Sequence, residues 1–199
     1  MSRAPDRADS PSARADRSTR PFVVAGTDPV VAAHLFGLVS AALGRRATPA
    51  HSAAMQTTTP DDALLDRARW DEVVVLAALR DPLEGALELC RRDSASAGDA
   101  IDRTEQHVRT IELLAPHVVA IDVRQRLGPD LLAVRRAVAA EGVRVPTTEM
   151  LRSWSRWRTR PTAKAPVDRA LHGRLVLGVR GHHLDDRVAE LRQRLLHRP

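Results

Sequence analysis

The chain has 199 residues, 43% of them hydrophobic, and a formal net charge of +6 carried almost wholly by arginine, with Lys164 the only lysine. That length suits one domain with a full core plus a short tail. No apolar run reaches the roughly 18 residues a membrane helix needs, and the single cysteine, Cys90, excludes an internal disulfide and a cysteine-only metal site.

Residues 1–20 are rich in Ser, Pro, Arg and Asp without apolar periodicity, which predicts a disordered basic tail ahead of a domain spanning 21–199. The N-terminus carries no apolar signal core, so cytoplasmic residence is the simplest expectation. Phe22 to Ala25 form a short apolar run ending at Gly26, as in a buried strand. Asp28 is then placed to cap a helix with Pro29 at its first position, running from Val30 to Leu43. Residues 45–59 have no clear pattern, and Pro60 stands early in a helix continuing through Ala68.

The run EVVVLAAL, 72–79, is continuous, β-branched and apolar, as expected of a central parallel strand. Arg80, Asp81 and Pro82 end it, and Leu83 to Arg92 follow as a helix. Ser94 to Gly98 break the pattern, and Ala100 to Leu114 resume it until Pro116. VVAIDV, 118–123, reads as another buried strand, and Pro129 to Ala140 as a helix. A short extended VRV precedes Pro146, and 161–168 form a linker. Leu184, Val188, Leu191 and Leu195 give a terminal amphipathic helix by their 4-3-4 spacing. Strands alternating with helices imply a mainly parallel sheet covered on both faces.

Three constellations carry chemistry. The loop Gly26-Thr27-Asp28-Pro29 joins a strand to a helix, the place where α/β folds bind phosphate. Pro29 removes one N–H and Asp28 brings negative charge, so a turn capped by Asp28 is the competing reading, and no lysine is near enough for a Walker-type ATPase. Arg80, at the carboxyl end of a central strand, stands where open α/β sheets bind ligands; its alternative is an ion pair with Asp81 or Glu84. The third constellation, Arg152, Trp154, Arg156, Trp157, Arg158 and Arg160, suits polyanion contact, with arginines on phosphates and rings stacked on bases. Its alternative has the tryptophans packed on the domain and the arginines solvated. His34 and His51 read as surface or packing histidines rather than general bases, and adjacent His182 and His183 point apart with no third metal ligand evident.

The segment WDEVVVLAALRDPLEGALELCRRDS resembles bacterial P-loop sulfotransferases, in which a strand ending in Arg-Asp/Asn-Pro precedes a helix and an Arg-Arg-Asp run. AIDRTEQHVRTIELL, VVAIDVRQRLGPDLLAVRRAV, VDRALHGR and PFVVAGTDPVVAAHLFGLVSAAL continue the likeness in register over about residues 21–196. The resemblance implies a three-layer P-loop-like α/β fold with a mainly parallel sheet. It also implies 3′-phosphoadenylyl sulfate as donor to a hydroxyl acceptor, with Arg80 holding the 3′-phosphate and Gly26 and Thr27 in the donor loop. The sequence departs from the family where Glu88 stands for a serine, Pro29 to Ala32 for the basic-Ser-Gly-Thr run, and Val123 for a tyrosine. The implied transferase is therefore active or decayed. The competing function is a non-catalytic basic module contacting nucleic acid or another polyanion. VVAIDVRQRLGPDLLAVRRAVAAEGVRVP also resembles the middle of a response-regulator receiver domain, but the lysine that pairs with the phosphate is missing.

Overall fold

A computed structural model describes residues 20–43, 54–56, 61–124, 128–129, 131–142, 148, 150–152, 155 and 168–196. Strand β1 (Phe22–Gly26) leads into α1 (Pro29–Leu43), followed by β2 (Ala54–Gln56), α2 (Asp62–Arg69) and β3 (Val74–Leu79). Two helices, α3 (Pro82–Asp93) and α4 (Ala97–Leu114), and a 3-10 turn then lead to β4 (Val118–Arg124). A two-residue β5 (Gly128–Pro129), α5 (Leu131–Ala140) and the pair α6 (Arg169–Gly181) and α7 (Leu184–Leu196) complete the described elements.

The sheet order is β2-β1-β3-β4-β5. The first four strands are parallel, with Val23 level with Val75 and Leu76 with Val119, and only β5 runs antiparallel, against the end of β4. The result is a mixed α/β fold with a small, mainly parallel sheet flanked by helices.

β1 and β3 are buried on both faces, which explains their continuous apolar sequences, whereas β4 leaves Val119 48% exposed and Asp122 half-buried. Successive strand side chains point to opposite faces. Phe22, Val24, Leu76, Ala78 and Ile121 meet α1 and α5 on one side. Val23, Ala25, Val75, Ala77 and Leu79 meet α2, α3, α4, α6 and α7 on the other. With each buried Val, Leu or Ile worth ~1.5–3 kcal/mol, a polar residue in β1 or β3 would be penalised at either parity.

Local chemistry sets the boundaries. Asp61 caps α2 by accepting from the Leu64 amide at 2.7 Å, and Pro60 lies outside the described residues. Asp81 accepts from Leu83 and Glu84 and caps α3 with Pro82 next in line. Ser94 ends α3 in the left-handed region, and Ser96 caps α4, so the break is three residues long and Gly98 lies inside the helix.

Other expectations change more. The unpatterned stretch contains the edge strand β2, which is three residues long. Pro129 belongs to β5, and α5 begins at Leu131. From Asp168 on, the VDRALHGR segment forms the start of a helix, α6, with Asp168 capping it through the Ala170 amide. The amphipathic stripe of α7 holds: Leu184, Val188, Leu191 and Leu195 are all buried. The tail 1–19, the VRV segment and the 161–167 linker lie outside the described residues.

Candidate functional site

Strand order reverses between β1 and β3, because the chain moves from β1 to β2 on one side and returns to β3 on the other. In open α/β sheets ligands bind outside the carboxyl ends of the strands at such a reversal. Here those ends are Gly26 and Leu79, and the residues just beyond them are Thr27, Asp28, Arg80 and Asp81.

Thr27 is buried and ties the two strand ends together. Its amide donates to the Ala78 carbonyl at 3.0 Å. Its hydroxyl accepts from the Arg80 amide at 2.9 Å and donates to the Arg80 carbonyl at 3.2 Å. The Arg80 backbone is thus held by a side chain 53 positions earlier. Gly26 is required by close packing, since a Cβ there would lie 2.7 Å from the Ala32 nitrogen. The structure therefore brings Gly26, Thr27 and Arg80 to one place.

Asp28 dominates the crevice. Its Oδ1 accepts from the amides of Val30 and Val31, both at 2.9 Å, and caps α1. These are the N–H groups that a helix start otherwise offers to an anion. The buried Oδ2 has no hydrogen-bond partner, lies 3.9 Å from Nη1 of Arg80 and packs on α3, where a Cβ at Gly85 would approach it to 2.7 Å. Nε of Arg80 faces Glu84 at 3.7 Å, so the guanidinium stands between two carboxylates, while Asp81 serves as a helix cap.

His107 reaches the site from α4. Its buried ring donates from Nδ1 to the Gly26 carbonyl at 3.1 Å, which leaves Nε2 as an acceptor while the ring is neutral. Burial lowers its pKa; the Asp28 charge and the Gly26 hydrogen bond oppose that, and Arg103 adds to it. The sequence did carry a signal for it: Thr104, His107, Ile111 and Leu114 share the buried stripe of α4. Arg192 of α7 places a second guanidinium on this edge, with Nε 3.3 Å from Asp122 of β4 and Nη2 donating to the Leu79 carbonyl at 3.5 Å.

The remaining sequence-level candidates lie elsewhere. Glu88 is half-buried on α3 and Val123 is buried in β4. His34 is half-buried on α1 and makes an interaction of its own. His182 faces Glu105 at 2.6 Å and His183 faces Asp186 at 3.7 Å, so the adjacent rings serve different partners. Among the described residues no group of three metal-ligating side chains forms, and no helix is long and apolar enough to cross a membrane. Arg152 is exposed; Trp154, Arg156, Trp157, Arg158 and His51 lie outside the described residues.

The fold and this crevice define the class: an α/β protein with a parallel-sheet switch point filled by its own charged side chains. No protein-family model matches the chain, and searches of curated proteins and of solved structures find no match either.

Proposed function

We propose that the chain is a non-catalytic binding or regulatory module built on a sulfotransferase-like, P-loop-like α/β scaffold. The convergence of Gly26, Thr27 and Arg80 at the switch point supports the scaffold. The observation that carries the non-catalytic reading is the placement of Asp28. Its carboxylate occupies the α1 amides and faces Arg80, so the two features that would receive donor phosphates are engaged internally. A phosphate entering there meets the carboxylates of Asp28 and Glu84 around Arg80, while the second guanidinium on this edge, Arg192, already faces Asp122, and like charge at such range disfavours binding.

Calorimetric titration with 3′-phosphoadenosine 5′-phosphate tests the reading. The expected result is no heat and no thermal shift at millimolar nucleotide. Saturable heat that Arg80→Ala abolishes would overturn it in favour of an active sulfotransferase using 3′-phosphoadenylyl sulfate, the second reading that the position of Arg80 favours. Binding of a polyanion through the Arg152 to Arg158 segment, with Trp154 and Trp157 stacking on bases, belongs to the same non-catalytic reading and should weaken steeply with salt.

A further inference from the structure

Helix α6 lies on the outside of the molecule, packed across α3 and α4. Its inward face is accounted for: Leu175 and Val179 are buried, and a Cβ at Gly178 would meet Ile101 at 2.7 Å. The outward face has no such account. Leu177 is 70% exposed at its centre. Gly173 and Gly181 lie four residues before and after it, on the same face, and an added Cβ at either meets nothing within 4 Å. Glycine inside a helix costs ~0.5–1 kcal/mol relative to alanine, and at Gly173 nothing among the described residues requires it. The glycines leave shallow notches on both sides of a protruding leucine.

The charge along this helix is mainly positive, with Asp168 at its N-cap and Asp185, which feels the Arg180 charge, just beyond its end. Arg174 and Arg180 flank Leu177 on opposite sides, three residues before and after it, and Arg169 begins the helix; all three are exposed and make no ion pair within 4 Å among the described residues, although Arg180 acts at longer range on Asp185. The helix contains no acidic residue.

We propose that the outer face of α6 docks an acidic amphipathic helix from a partner protein. The proposal rests on the reading of the chain as a binding module, and names the partner's chemistry. Apolar side chains of such a helix would seat in the notches beside Leu177, where the missing Cβ atoms allow close approach. Its carboxylates would pair with Arg169, Arg174 and Arg180. A second copy of this chain is disfavoured, because symmetric pairing sets arginine against arginine. Nucleic acid would engage the arginines while leaving Leu177 in water and the notches empty. A single exposed leucine offers an anionic membrane little to insert.

The test is fluorescence anisotropy of the full chain with a labelled synthetic helical peptide carrying a leucine stripe flanked by glutamates. The same peptide scrambled, duplex DNA and phosphatidylserine vesicles complete the set of probes. The amphipathic peptide should bind saturably and the scrambled one about tenfold more weakly or not at all. Leu177→Ser and Gly173→Ala should each weaken binding about tenfold, ~1.4 kcal/mol, while Gly173→Ala melts no lower than the wild type. The last pairing separates lost docking from lost folding. No saturable binding at millimolar peptide, binding indifferent to both substitutions, or tighter binding to DNA or vesicles overturns the proposal. Titration with 3′-phosphoadenosine 5′-phosphate reads the crevice separately: a silent crevice with no peptide binding removes the docking face alone, whereas nucleotide binding at Arg80 removes the non-catalytic reading.

Discussion

Asp28 and Gly85 touch across the carboxyl end of the sheet: the buried Oδ2 of Asp28 packs on the α3 backbone so closely that a Cβ at position 85 would sit 2.7 Å away. One carboxylate thereby caps α1, faces Arg80 at 3.9 Å and fixes where α3 can lie. Loss of this cap and of the charge facing Arg80 acts in one direction. Asp28→Ala should destabilise the fold by roughly 1–3 kcal/mol, and Asp28→Asn, which keeps an acceptor for the α1 amides, by less. Urea unfolding midpoints at neutral pH measure both, and equal midpoints for Asp28→Ala and the wild type would remove the structural role given to Asp28.

Glycine-to-alanine substitutions should divide by position. Gly85→Ala forces a methyl against Asp28 and is expected to cost about 1–3 kcal/mol, even though alanine favours helix. Gly178→Ala meets Ile101 and should also destabilise. Gly173→Ala enters open space and should stabilise by about 0.5–1 kcal/mol. Thermal melts of the three variants are the measurement.

His107 predicts a pH dependence with a defined sign. Burial holds its pKa below the ordinary value of 6.5, so the unfolded chain binds the proton more readily than the folded one. Stability is then fully present above about pH 6.5 and falls as pH drops toward the folded pKa. His107→Asn keeps a donor toward the Gly26 carbonyl and does not titrate. Its stability should change less between pH 7 and pH 5, as chemical denaturation across that range would read.

Glu105 predicts a loss at lower pH. Burial alone would raise its carboxyl pKa, but the hydrogen bonds and charges of His182 and Arg187 together outweigh burial and hold it below 4.5. Its contribution is present above that value and is lost as pH falls through the lowered pKa. Arg187 also grips Glu112 at 2.7 and 2.8 Å, which ties α7 to α4. Glu105→Gln should flatten the acid limb of the stability profile below about pH 4.5, and an unchanged limb would argue that the contact contributes nothing.

Arg20 begins the described chain with a two-sided hold. It donates to both carboxylate oxygens of Glu141, at 2.9 and 2.6 Å, and also pairs with Asp71. Glu141 is 14% exposed and lies at the end of α5, and Asp71 precedes β3. Arg20→Ala leaves the Glu141 carboxylate mostly buried and unpaired, and should destabilise by about 1–3 kcal/mol. Hydrogen exchange would show the loss at the end of α5 and the start of β1.

By itself the sequence determined the strands β1, β3 and β4, the Asp28 cap and the α7 stripe, because each rests on neighbours within a few residues. The unbroken apolar runs of β1 and β3 specify strands buried on both faces, β4 is a strand as expected but leaves Val119 exposed and Asp122 facing Arg192, and an aspartate ahead of Pro29 specifies a helix start. Three features needed the tertiary structure. The strand β2 is too short to carry a pattern and exists through its pairing with β1. The helix α6 carries three glycines and only two fully buried apolar residues, so its helical period is faint and packing on α3 and α4 decides it. The engagement of Arg80 by Asp28 depends on strand order, which places β1 beside β3 although β2 and α2 intervene in the chain. An arginine at the end of a strand is legible in a sequence; the carboxylate facing it across the crevice is set by which strand lies next to it in the sheet.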